Sequence, residues 1–339
     1  MPTLGTPPGT TLGTPLRIRN ATAKNRIVLP PMVVNGLHPD NEVTDATLAH
    51  YGAFADGGAG VLIQEATCVS PDGKLSDQQL GLWADGQVEG ARRLVERCRP
   101  SGALLFVQIH HVRFEHEPET AVVERIRDDF SAAAVRAEHA GYDGVELHGA
   151  HGYLLNAFMN PRRNRRTDRY GDPMRLVTEV YEAVRAATGP GFIVGIRVGV
   201  DNPDMATGLA QCRALEALGV DFLDISAGMT ELDDATLPVP CDFPFSALAW
   251  RGCEVKKHVK VPVMAVGGLN APSLAAKLVE GGFADFAAIG RGQLVDPAWA
   301  AKTLAGLPVD ACLDCNACKW FNSHTKCPGR LAADKRRKT

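Results

Sequence analysis

The sequence predicts an α/β fold: one (β/α)8 TIM barrel followed by a short cysteine-rich C-terminal extension. Three observations carry this. Short runs rich in Val, Ile, Leu and Phe recur along the chain, eight in all. Amphipathic helical segments separate them, the pattern of a parallel sheet covered on both faces. The first run ends in Pro30-Pro31-Met32, where an open dinucleotide-binding sheet would want a G-x-G-x-x-G turn.

The elements follow in order. Residues 1–22 open on MPTLGTPPGTTLGTP, which lacks the basic start and apolar core of an export signal. They read as a flexible Pro/Gly/Thr tail. Strands are expected at 27–33, 60–65, 104–109, 143–148, 192–198, 221–226, 261–266 and 285–290. Helical patterns lie between them, at 125–140, 174–187, 207–219 and 271–281 among others. Several stop at Gly-Gly or Ala-Gly, as helices with a glycine cap do. A barrel needs about 250 residues. It takes 23–308 here and leaves 309–339 as the extension.

Composition narrows the function. The chain is 45% hydrophobic and 22% charged, with a net charge of −3. That argues against nucleic-acid or membrane-surface partners. No apolar run reaches the roughly 18 residues of a membrane span. A cytoplasmic protein acting on a small molecule is expected, and its nine cysteines are not expected to form disulfides.

Barrel chemistry sits at the C-terminal strand ends, with phosphate held after strands seven and eight. Those strands end in Gly267-Gly268 and Gly290-Arg291. Glycine turns bring backbone N–H groups to an anion, and Arg291 adds a charge-assisted contact. The anion belongs either to a substrate or to a cofactor, and the glycines also serve simply to turn the chain. Strand four ends in His148, with His151 and Tyr153 on the loop that leaves it. Imidazoles polarise a carbonyl oxygen, and a phenol delivers a proton to carbon. That set suits reduction of an activated C=C bond. A His-x-x-His pair also suits a metal or a structural role. Gln108 and Arg197, long and polar, end strands three and five at the barrel mouth.

The stretch AGYDGVELHGAHGYLLNAFMNPRRNRRTDRYGD at 140–172 resembles the old yellow enzyme family of FMN-dependent ene-reductases. So do NRIVLPPM (25–32), GVLIQEATCVSPDGK (60–74), FVQIHH (106–111), VGIRVG (194–199), VMAVGGL (263–269) and AAIGRGQLVDPAW (287–299). The resemblance implies FMN, reduced by NADH or NADPH. It implies that His148 and His151 bind the substrate carbonyl and that Tyr153 gives the proton. Pro31, Met32, Ala66, Gln108 and Arg197 are implied as contacts of the flavin ring or ribityl chain. Gly267, Gly268, Gly290 and Arg291 are implied at its phosphate.

Three departures stand out. Val33 occupies a flavin-side position where the family often carries Thr or Cys, so a hydrogen bond is expected to be missing. The segment after His111 is short, so the pocket is more open or is closed by another subunit of a homo-oligomer. The C-terminal cysteines resemble the branch with 2,4-dienoyl-CoA reductase and trimethylamine dehydrogenase. Cys312-x2-Cys315-x2-Cys318-x8-Cys327 is a ligand array for a metal or cluster. A 4Fe–4S cluster is the expectation, with structural Zn2+ or empty thiols as alternatives. A cluster would imply an electron-carrier protein as partner. The competing readings are a dehydrogenase or demethylase sending electrons outward, and an electron-transfer subunit.

Overall fold

The computed structural model describes residues 7, 9–228, 237–320 and 324–338. A short antiparallel hairpin comes first, β1 (Leu16–Ile18) against β2 (Ala21–Ala23). Eight parallel strands follow: β3 (Ile27–Leu29), β4 (Val61–Cys68), β5 (Leu104–His110), β6 (Gly144–Gly149), β7 (Ile193–Gly199), β8 (Leu223–Ser226), β9 (Val263–Val266) and β10 (Phe286–Ala288). They close in the order β10-β3-β4-β5-β6-β7-β8-β9. The expected (β/α)8 barrel is therefore present.

The helices are α1 (Asp45–Asp56), α2 (Val88–Cys98), α3 (Thr120–Ala140), α4 (Leu154–Met159), α5 (Arg175–Ala187), α6 (Met205–Leu218), α7 (Ala247–Lys256), α8 (Pro272–Glu280), α9 (Arg291–Val295), α10 (Trp299–Leu304) and α11 (Pro328–Lys338). α3 and α6 end on Gly141 and Gly219, whose φ values of 94° and 104° are left-handed; a side chain there would be strained. Among the described residues no helix is long and apolar enough to cross a membrane.

Most strand boundaries shift by no more than two residues from the sequence expectation, and two larger differences have clear reasons. β3 stops at Leu29 because Pro30 and Pro31 have no N–H to give the ladder. β4 runs on to Cys68 through a register shift between Gln64 and Thr67. A third difference lies in the tail. Residues 16–22 were expected to be flexible, yet they form most of the hairpin, and Ile18 is buried with Val28, Val61, Phe106, Phe222 and Phe286 inside the barrel. Arg26 fixes the approach by donating from its backbone to Leu12 O (2.7 Å) and from Nε to Thr14 O (2.8 Å).

Strand alternation stacks the inward side chains in layers. The lower layers are apolar, with Phe106 and Phe222 stacked at 5.2 Å. Going up β5, Gln108 and His110 share the inward face of Phe106. On β6 the corresponding pair is Glu146 and His148, and on β7 and β8 it is Arg197 and Asp224.

Candidate active site

The first polar layer is built of Gln108, Glu146, Arg197 and Asp224, all buried. Gln108 Nε2 donates to Glu146 Oε1 at 2.8 Å. Arg197 Nε lies 3.3 Å from Asp224 Oδ2, but without hydrogen-bond alignment. Arg197 Nε, Glu146 Oε2 and both Asp224 carboxylate oxygens therefore lack hydrogen-bond partners. Two carboxyls share one guanidinium here. Burial, then the charge of Asp224, pushes Glu146 up, against Arg197 and the Gln108 hydrogen bond. Burial likewise pushes Asp224 up, against Arg197.

Above this layer β6 delivers His148, and the chain turns sharply. His151 has φ 58° and Gly152 φ 74°. Asn156 of α4 braces the turn, accepting from Gly152 N–H at 2.8 Å and donating to Gly149 O at 3.2 Å. The turn returns His151 Nε2 to within 2.8 Å of Ser226 Oγ on β8. It sets the His148 ring 5.2 Å from His151 and 5.0 Å from Tyr153. The three residues expected to work together are thus brought together. His148 Nδ1 accepts from Ala150 N–H at 3.4 Å, which leaves the proton of the neutral ring on Nε2.

Burial, then His151, His110 and Arg197, holds His148 well below the usual imidazole range. His151 is pushed down by burial and Arg197; its exposed surface screens that effect. Burial raises Tyr153 above the ordinary phenol value, so it stays protonated at neutral pH.

The loop after β3 carries Pro31, Met32 and Val33. Buried Glu65 fixes it: Val34 N–H donates to Oε2 at 2.9 Å, while His38 Nε2 sits 3.0 Å from Oε1. Ala66 is buried in the β4 register shift, its carbonyl taking Gln79 Nε2 at 2.7 Å. Val33 is half-buried and offers no polar atom.

Four places round the ring from β6, β10 faces the histidines across the mouth, with β9 beside it. Gly267 and Gly268 have φ 117° and 66°, and a Cβ on Gly267 would sit 2.7 Å from Leu248. A Cβ on Gly290 would meet Met32 Sδ at 3.2 Å, so the β3 loop and the glycine turns form one rim. Arg291 is beside them, but its guanidinium pairs with Asp314 of the extension at 2.5 Å.

The segment after β5 is short, as expected, since α3 begins at Thr120. Residues 113–118 lie beside α4 and line, with Leu154, Phe158 and Arg166, a half-open cavity of about 140 Å3.

Sequence reasoning missed Glu146, Asp224, Ser226, His110 and Glu65 as site or support residues. Glu146, Asp224 and His110 each carried a signal: a polar side chain on the inward parity of an otherwise apolar strand.

The cysteine run behaves differently. All nine cysteines are free thiols; Cys315 and Cys318 are exposed, Cys312 and Cys327 partly so. Among the described residues no three His, Cys, Asp or Glu side chains converge as metal ligands. Among the described residues the expected ligand set for 4Fe–4S or Zn2+ is therefore not assembled; Asp314, inside the run, pairs instead with Arg291.

A family model described as NADH:flavin oxidoreductase / NADH oxidase family matches residues 11–125 and 112–310. An NADH oxidase from Thermoanaerobacter brockii is 35% identical over 338 residues, covering 88% of this chain and 52% of its own length. An NADPH dehydrogenase from Bacillus subtilis (strain 168) is 31% identical over 322 residues, covering 85% of this chain and 93% of its own. Among solved structures, the old yellow enzyme homologue from Zymomonas mobilis superposes with a TM-score of 0.75 at 22% identity, covering 94% of this chain and 99% of its own.

Proposed function

Because the chain belongs to the NADH:flavin oxidoreductase / NADH oxidase family, of the old yellow enzyme type, we propose that it is an ene-reductase, moving hydride from NADH or NADPH to an activated C=C bond. The observation that carries this reading is the convergence of His148, His151 and Tyr153 above a buried polar layer.

The residues fit FMN. Arg197 Nε and Glu146 Oε2 are buried and want polar partners, which a flavin ring edge supplies. Gly267, Gly268 and Gly290 form a rim without Cβ atoms that a phosphate can approach. Pro31, Met32, Val33, Ala66, Gln108 and Arg197 would hold the ring and ribityl chain, and the three glycines with Arg291 would hold the phosphate. When bound, FMN supplies two-electron hydride chemistry between a nicotinamide and a second substrate.

The chain's own residues do the rest. His148 Nε2–H and His151 hold the carbonyl oxygen of an enone and stabilise the negative charge that grows there as hydride adds at the β-carbon. Tyr153 gives its hydroxyl proton to the α-carbon. Half-exposed, Tyr153 regains a proton from water. The neutral histidines act as hydrogen-bond donors without delivering a proton themselves.

The test is transient kinetics on the FMN-loaded protein. Tyr153→Phe is expected to slow reoxidation by 2-cyclohexenone at least about tenfold while reduction by NADPH changes little. Equal slowing of both half-reactions removes Tyr153 from the proton-donor role. Protein that takes up no FMN sinks the whole reading.

A further inference from the structure

One buried polar side chain in the pocket has no task in the mechanism above. His110 ends β5 on the inward face, two residues above Gln108, and is buried. Neither ring nitrogen has a hydrogen-bond partner. Its ring lies 5.3 Å from that of His148 and meets Tyr153 edge-on at 4.5 Å. A neutral imidazole carries one N–H and one lone pair, and a buried polar ring that leaves both unused is costly. Its neighbour His111 has the opposite parity. His111 turns out of the barrel, bonds the Val112 carbonyl and packs on Phe114.

The pocket therefore has two donor stations. His148 and His151 form the first. His110 forms the second, about as far from His148 as His151 is, on the other side and next to the proton donor. A simple enone has one carbonyl oxygen and fills only the first.

We propose that His110 is a substrate-binding residue that selects an enedione, a C=C bond flanked by two carbonyl groups, with the second carbonyl oxygen accepting from the His110 ring. This rests on the ene-reductase reading. It names the substrate class that the pocket distinguishes from simple enones. His110 and the first pair then grip the two ends of the conjugated system, which fixes which alkene carbon faces Tyr153.

The experiment compares 4-oxoisophorone with 2-cyclohexenone on FMN-loaded wild type, His110→Leu and His110→Gln, each checked for unchanged circular dichroism and FMN content. In His110→Leu, kcat/KM for the dione is expected to fall about tenfold or more, mainly through KM, while the enone stays within about threefold. His110→Gln, which keeps a donor and an acceptor, restores most of the loss. Binding of the saturated, unreactive cyclohexane-1,4-dione, followed by calorimetry against cyclohexanone, should weaken in the same variant. Equal losses on both substrates would mean that the ring only packs Tyr153, and no loss on either would mean that it touches neither; both overturn the proposal. Wild type that binds FMN but reduces neither compound overturns the ene-reductase reading, and the His110 proposal with it.

Discussion

Two buried imidazoles, His110 and His148, are held neutral by their surroundings. Burial, then His111 and His151, pushes His110 down to about 3, and His148 is also held well below its usual range. An unfolded histidine titrates near about 6.5. A depressed folded-state value gives stability that is present above that pH and lost as pH falls toward the folded value. Glu146 and Asp224 run the other way. Their values are raised, so what they add is present below about 4 and lost as pH rises. The two trends oppose each other between pH 5 and pH 7 wherever the raised carboxyls still titrate, so the wild-type slope does not isolate the histidine. The difference between wild type and His110→Leu isolates one ring. Urea denaturation at both pH values should show wild type losing about 2 kcal/mol more than the variant on going from pH 7 to pH 5. Parallel slopes would mean that His110 is hydrated in the folded protein. At this scale the histidine–tyrosine loop was legible because its residue types name their chemistry. Glu146 and Asp224 were not: a lone acid in an apolar strand reads as punctuation until its parity places it inside a barrel.

Elements were legible in proportion to how much they bury on both faces. The eight barrel strands stood out as apolar runs because helices cover the outside and a packed interior fills the centre. Their ends were less legible, since Pro30 and the register shift in β4 act through the backbone ladder, which a hydrophobic pattern does not record. The β1–β2 hairpin was illegible for another reason. Three-residue strands are too short to establish a period, and Pro, Gly and Thr surround them. Yet the hairpin closes the bottom of the barrel, and Ile18 is its buried tip. Ile18→Ala should leave a cavity beneath Phe106 and Phe222 and cost about 2–5 kcal/mol of unfolding free energy, read from the urea midpoint at constant slope. A change well under 1 kcal/mol would return residues 16–23 to the status of a loose tail. The cysteine run taught the converse lesson. Its spacing suggests ligation, and among the described residues no such ligand set is assembled; the neighbouring Asp314 and Asp310 pair with Arg291 and Arg336.

The whole molecule does what no segment can: closure sets β6 opposite β10, so a histidine clamp from mid-sequence faces glycine turns encoded more than a hundred residues later. On the proposed function, the ligand that spans the mouth is long, with an anionic end at the glycine turns and a polar, planar end toward the histidines. FMN has both and riboflavin lacks the anion, so comparing them tests the arrangement as a unit. A ligand that binds only the folded state stabilises it by RT ln(1 + [L]/Kd), about 2.7 kcal/mol at a hundred times Kd. For a chain of this size that is a shift of several degrees in Tm. FMN should raise Tm by that order at concentrations where riboflavin raises it little. Arg291 complicates the comparison, because its guanidinium is already paired with Asp314 between two exposed side chains. Such a pair is worth under about 1 kcal/mol, so a phosphate, which takes two parallel bonds from arginine, displaces it at small cost. Asp314→Ala should therefore strengthen the FMN response modestly and leave riboflavin unchanged, while Arg291→Ala should narrow the gap between the two ligands. Equal stabilisation of wild type by FMN and riboflavin would mean that the anion is held elsewhere, and the glycine rim at β9 and β10 would then be a turn and nothing more.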